Sequence, residues 1–125
     1  MIKIGIIGAY RGSDFAKAAK DFTDAKVTAI CERDEKRIEW LKQRDPENYT
    51  YFSDFDEMLN SDIDAVILCN YFCEHAPFAI KALKAGKHVL SETLSNITMA
   101  EGVALKRAAD QSGKIYMIGE NYPYM

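Results

Sequence analysis

The stretch Ile2-Lys-Ile-Gly-Ile-Ile-Gly8-Ala-Tyr-Arg-Gly12-Ser13 decides how the rest of the chain is read. Its first six residues are rich in β-branched side chains and end at a glycine, the pattern of a short strand buried on both faces. From Ser13 to Phe22 the apolar residues Phe15, Ala16, Ala18, Ala19 and Phe22 recur at helical spacing, with Lys17, Lys20 and Asp21 between them. A strand running through glycines into a helix can bind phosphate: the glycines permit a tight bend, and the helix N-terminus presents unpaired N–H groups to an anion. In the G-x-G-x-x-G arrangement the first glycine is Gly8, Tyr10 holds the second position and Ser13 the third, with Gly12 one residue earlier. A side chain at the second position is expected to crowd a pyrophosphate. Gly8 and Gly12 also read as ordinary turn residues of a βα unit.

Outward from that turn, apolar runs and helical stretches alternate. Lys26–Cys31 reads as a second strand, followed by a helix capped by Asp34, with Ile38, Leu41 and Trp40 inward and Pro46 beyond its end. Tyr49–Phe52 is a short aromatic strand, and Asp54–Leu59 a short helix capped by Ser53 or Asp54. Asp64–Cys69 is a clear strand, Ala76–Ala85 a helix with Pro77 in its first turn, and His88–Ser91 another strand. Thr98 and Glu101 form a capping box for a helix reaching about Ser112, and Ile115–Ile118 is the last strand before an irregular tail from Gly119 to Met125. Six strands alternating with helices predict an α/β fold with a doubly wound parallel sheet in a single domain, residues 1–125.

Glu32 directly follows the second strand, at about the 20-residue interval from the glycine turn where a carboxylate accepts hydrogen bonds from an adenosine ribose. Such a carboxylate repels a 2′-phosphate and favours NAD. Arg33 beside it can pair with a 2′-phosphate or stack on adenine, which keeps NADP open. Glu32-Arg33-Asp34 equally reads as a solvated turn before a helix cap.

The 125 residues carry 16 basic and 19 acidic side chains, a net charge of −3, with no basic stripe, so nucleic acid is not an expected partner. No apolar run approaches the roughly 18 residues of a membrane span, and no signal peptide is expected at the N-terminus. Three cysteines, Cys31, Cys69 and Cys73, suit reduced thiols in a cytoplasm. With only two histidines, Cys69 and Cys73 have no matching pair for a zinc site, and no metal is expected. His88 reads as structural. His75 falls where the carboxyl ends of the strands bind ligands. No G-x-S-x-G turn or Walker-type loop occurs, and no residue is assigned a catalytic role.

Two stretches carry a more specific likeness. Asp64-Ala-Val-Ile-Leu-Cys-Asn-Tyr-Phe-Cys-Glu-His75-Ala76 resembles the fourth strand and following loop of the Gfo/Idh/MocA family, relatives of glucose–fructose oxidoreductase and inositol dehydrogenase. Ala82-Leu-Lys-Ala-Gly86-Lys87-His88-Val89-Leu90-Ser91-Glu92 is similar to that family's Ala-Leu-x-Ala-Gly-Lys-His-Val-x-x-Glu-Lys-Pro. The opening Ile4–Gly8 and the closing Gly119-Glu120-Asn121-Tyr122 fit as well.

The resemblance implies a six-stranded Rossmann domain with strand order 3-2-1-4-5-6 that binds NAD(P). It implies hydride transfer with a sugar or polyol-like substrate in the full-length enzyme, and a second α/β domain that is absent from this chain. That second domain carries the family's oligomeric surface, so a homo-oligomer stays open. By position, Gly8, Ala9, Tyr10, Arg11 and Gly12 would face the pyrophosphate, and Glu32 with Arg33 the adenosine ribose. Cys69, Asn70 and Tyr71 would line the cofactor, His75 would stand at the mouth of the next helix, and Asn121 would approach the nicotinamide. Glu92 would lie near the nicotinamide ribose. Next to it, Thr93 replaces the family's lysine and Leu94 its proline; an uncharged hydroxyl is a poor general base near neutrality. The alternative is a nucleotide-binding or structural module without turnover.

Overall fold

The computed structural model describes all 125 residues. Six parallel strands form one sheet: β1 (Ile2–Ile7), β2 (Ala25–Cys31), β3 (Thr50–Phe52), β4 (Ala65–Leu68), β5 (His88–Ser91) and β6 (Tyr116–Ile118), ordered β3-β2-β1-β4-β5-β6. The helices between them are α1 (Ala9–Ala18), α2 (Glu35–Arg44), α3 (Phe55–Leu59), α4 (His75–Lys84) and α5 (Met99–Ser112). The doubly wound Rossmann arrangement expected from the sequence is the observed one.

The central strands are apolar on both sides because both sides are covered. Ile4 and Ile6 join Ala16, Leu41 and Ile67 in a core beneath α1 and α2. Ile7, one residue out of phase, joins Met58, Val66, Leu83 and Leu105 in a second core beneath α3, α4 and α5. β1 pairs with both β2 and β4, and the chain leaves these strands toward opposite faces. That reversal opens a crevice at their carboxyl ends.

Local capping follows the sequence. Asp34 accepts the Lys36 N–H (2.9 Å), Asp54 rather than Ser53 accepts the Glu57 N–H (3.0 Å), and Thr98 and Glu101 close the capping box. His88 is structural, its Nδ1 accepting the Ile115 N–H at 3.0 Å as the chain enters β6.

The first helix departs from the sequence reading. It begins at Ala9 rather than Ser13, because Gly8, at φ 97°, completes the turn in one residue. It also ends earlier, tightening into a 3₁₀ turn at Ala19–Asp21 and leaving Phe22 half exposed instead of packed. The tail after β6 contains a further 3₁₀ turn, Tyr122–Tyr124. No helix is long and apolar enough to cross a membrane.

Candidate functional site

The crevice at the ends of β1, β2 and β4 is a cleft of about 1050 Å³. Its floor is set by two close approaches. A Cβ on Gly8 would stand 2.4 Å from the Cys69 carbonyl oxygen, so the ends of β1 and β4 meet at a distance only glycine permits. A Cβ on Gly12 would stand 2.5 Å from Cγ2 of Ile6. Gly12, inside α1 and one residue before the third motif position held by Ser13, therefore supplies a close helix–strand contact. Ser13 instead donates its hydroxyl to the Tyr10 carbonyl.

Glu32 is 7% exposed at the end of β2. One carboxylate oxygen accepts the Ala9 N–H at the start of α1 (2.9 Å), and the other accepts the Asp34 N–H (3.1 Å). The Arg37 guanidinium lies 3.9 Å from it. An acid placed by β2 is thus anchored on the first amide of α1, and the helix dipole favours it there. The amides of Tyr10 and Arg11, next in the helix, have no intrahelical partner.

Side chains from three elements surround that carboxylate. Tyr10 turns toward α2, edge-on to Trp40 with ring centroids 4.8 Å apart, and the Arg37 guanidinium covers its ring at 4.8 Å. The neighbouring Tyr71 hydroxyl, outweighing partial desolvation, holds the Arg37 guanidinium above its ordinary pKa. Arg33 reaches across the cleft, and its Nη2 donates to both oxygens of Glu74 at 3.0 Å. The same Glu74 accepts from Nδ2 of Asn70 (3.0 Å), while Oδ1 of Asn70 is buried without a partner. Arg37 carried no sequence signal, and Glu74 stood in the family-like stretch after β4 without a role of its own; they meet Tyr10 and Arg33, partners distant in the chain.

At the other side of α1, Arg11 pairs with Glu92 beyond β5 and with Asp14 at 3.0 Å. Thr93 is half-buried after Glu92, and the Thr93–Leu94 peptide bond is cis. His75 lies apart from the cleft surface: it is 1% exposed, with Nδ1 2.8 Å from the Leu94 carbonyl oxygen and Nε2 3.0 Å from that of Asn70. Asn121 is exposed beyond β6 and lines no part of the cleft. Burial, then the nearby Glu32, pushes the Cys31 thiol up to about 12; burial, then Glu92, does the same for Cys69. Both stay protonated near neutrality and are unsuited to nucleophilic work.

The residues present fit a dinucleotide. An anchored acid, a glycine approach that a Cβ would fill and the unpaired amides at the start of α1 stand at one crevice. Residues 2–120 match the family described as "Oxidoreductase family, NAD-binding Rossmann fold". Among solved structures, scyllo-inositol dehydrogenase from Lactobacillus casei with bound NAD(H) and scyllo-inositol superposes with a TM-score of 0.87 at 26% identity. The superposition covers 100% of this chain and 38% of that one.

Among curated proteins, glycosyl hydrolase family 109 protein 2 of Shewanella sp. (strain ANA-3) is 31% identical over 98% of this chain. The alpha-N-acetylgalactosaminidase of Shewanella oneidensis is 28% identical over 99%. The chain spans 29% of the length of each of these two relatives. With the sheet order, the cleft and a match over nearly its whole length, the chain belongs to the Gfo/Idh/MocA oxidoreductase family as an NAD-binding Rossmann domain.

Proposed function

We propose that this domain holds NAD for an oxidoreductase acting on a ring hydroxyl of a sugar or polyol, and that a second domain completes the substrate site. The observation that carries the reading is the buried Glu32 carboxylate anchored on the Ala9 N–H. Each of its oxygens accepts one protein N–H and keeps a lone pair for a ribose hydroxyl. Its negative charge disfavours a 2′-phosphate, so NAD is preferred. Arg33 is committed to Glu74, and Arg37 lies over the Tyr10 ring, which leaves less cationic character to receive NADP.

The free amides of Tyr10 and Arg11 face the pyrophosphate, and Asn70 lines the cofactor at the end of β4. Tyr10 borders the adenosine end, since its ring is held against α2. Glu92 and Thr93 stand on the nicotinamide side, and Asn121 approaches it only when the second domain repositions the tail. Bound nicotinamide supplies the hydride acceptor. Thr93 carries no ammonium, so proton transfer at the substrate hydroxyl falls to the second domain, and the isolated chain binds cofactor without turning over. Exposed Ile115, Met117 and Tyr124 beside the edge strand β6 offer the surface for that domain. The free thiols of Cys31, Cys69 and Cys73 support a cytoplasmic location.

The test is calorimetric titration of the chain with NADH and with NADPH. NADH is expected to bind more tightly, and failure of both to bind at millimolar concentration overturns the reading. The glycosidase relatives motivate a second reading, in which transient oxidation of a ring hydroxyl to a ketone acidifies the neighbouring C–H and lets a glycosidic substituent leave. Nitrophenol release from an α-N-acetylgalactosaminide by the two-domain enzyme, against net NADH formation with inositols, separates the two.

A further inference from the structure

We infer that Glu74 is a specificity-determining residue for the cofactor: from the opposite wall of the cleft, and through Arg33, it disfavours a 2′-phosphorylated adenosine. The inference deepens the reading of the cleft as an NAD site and rests on it. Glu32 and Arg33 are neighbours at the end of β2, and they act in opposite directions. A carboxylate there repels a 2′-phosphate, while a guanidinium attracts one. The balance between them is set by a third residue, 41 positions after Arg33.

Glu74 ends the 3₁₀ turn Phe72–Glu74 and stands at the N-cap of α4, yet its side chain makes no capping bond there. The carboxylate is held instead by two donors at the cleft. Nδ2 of Asn70 donates to Oε2 at 3.0 Å, and Nη2 of Arg33 donates to both oxygens at 3.0 Å. The bond to Glu74, more than any other contact, holds the Arg33 guanidinium above its ordinary pKa. The Arg33 side chain is 61% exposed and that of Glu74 26%, so both are open to a ligand entering the cleft they line.

An ion pair this exposed adds little stability. Its consequence is electrostatic: one guanidinium stands between two carboxylates, Glu32 beside its backbone and Glu74 at its tip. A 2′-phosphate drawn to Arg33 meets both acids and competes with Glu74 for Nη2. An unphosphorylated ribose meets no such cost, because its hydroxyls donate to Glu32. Arg37 does not take over, since its guanidinium covers the Tyr10 ring and lies 3.9 Å from the Glu32 carboxylate.

Calorimetric titration of the whole chain with NADH and NADPH tests this, with folding followed by circular dichroism. Displacement of NADH by 5′-AMP and by 2′,5′-ADP, which differ only in the 2′-phosphate, confines the readout to the adenosine end. Glu74→Gln keeps the size of the side chain and removes its charge. It is expected to raise the affinity for NADPH relative to NADH about tenfold, and that for 2′,5′-ADP relative to 5′-AMP with it. Glu74→Ala, which also removes the bonds to Asn70 and Arg33, is expected to shift both ratios at least as far. In an Arg33→Gln background Glu74→Gln is expected to shift them less than about twofold, since residues that act as a unit are not additive. Unchanged ratios in the folded Glu74 variants, or an equal rise with and without Arg33, overturn the proposal. Absence of NADH binding by the folded wild type overturns instead the reading of the cleft on which it rests.

Discussion

At the residue scale, two glycines with the same backbone handedness separate crowding from conformation. Gly8 and Gly86 both have positive φ, 97° and 76°, but a Cβ at Gly8 meets the Cys69 carbonyl at 2.4 Å while one at Gly86 meets nothing within 4 Å. Gly86→Ala is expected to cost about 1–2 kcal/mol from backbone strain alone. Gly8→Ala adds a collision with rigid backbone and is expected to cost at least about 2 kcal/mol more. Urea denaturation of both variants checks this, and equal losses would show that the close approach of β1 and β4 has no energetic consequence. Glu32→Gln keeps the shape but replaces one acceptor oxygen with an amide that faces N–H donors. It is expected to weaken NADH about tenfold and to narrow the preference over NADPH, read by paired calorimetric titrations.

At the element scale, Asp45 at the end of α2 links three segments. It is buried, and its carboxylate accepts from the Lys20 ammonium (2.7 Å), the Tyr49 hydroxyl (2.8 Å) and the Glu47 N–H (3.2 Å). Burial alone would raise its pKa; the Lys20, Tyr49 and Glu47 donors outweigh it and hold the carboxyl below its ordinary value. The folded state therefore binds this proton less readily than the unfolded chain. Its contribution is complete above the ordinary carboxylate pKa of about 4 and is lost as pH falls through the lowered native value. Asp45→Asn is expected to be less stable at neutral pH and to show a shallower loss on acidification, measured as unfolding midpoints between about pH 7 and pH 3. At α5, removing the cap with Thr98→Ala is expected to cost about 1 kcal/mol with little effect on NADH binding, because the capping box lies outside the cleft.

At the scale of the whole molecule, the cleft exists because β1 sends its helix to one face and β4 to the other. Cofactor binding to that preformed crevice stabilises the fold by mass action. NADH at a hundred times its dissociation constant is expected to add about 2.7 kcal/mol to the unfolding free energy, seen as a concentration-dependent rise in melting temperature. A melting temperature that ignores NADH would contradict the proposed site.

What could be read in the chain without its structure was local or periodic. The run Ile2–Ile7, the caps at Asp34 and Thr98 and the spacing from Gly8 to Glu32 report interactions within a few residues or a fixed βαβ geometry, and each stands where it was expected. The strand order came from the family resemblance, since periodicity identifies strands without saying which are neighbours. Gly8 starts α1 at Ala9, and tertiary structure alone decided that the Ala9 N–H there meets a carboxylate 23 residues away. It decided that Gly12 rather than Ser13 makes the close contact and that Tyr10 leans on Trp40. It also decided that His75 is buried between two loops and that Arg37 and Glu74 enter the site. All of these depend on which segments the sheet brings together, and contacts made across the sheet leave no mark on the spacing of neighbouring residues.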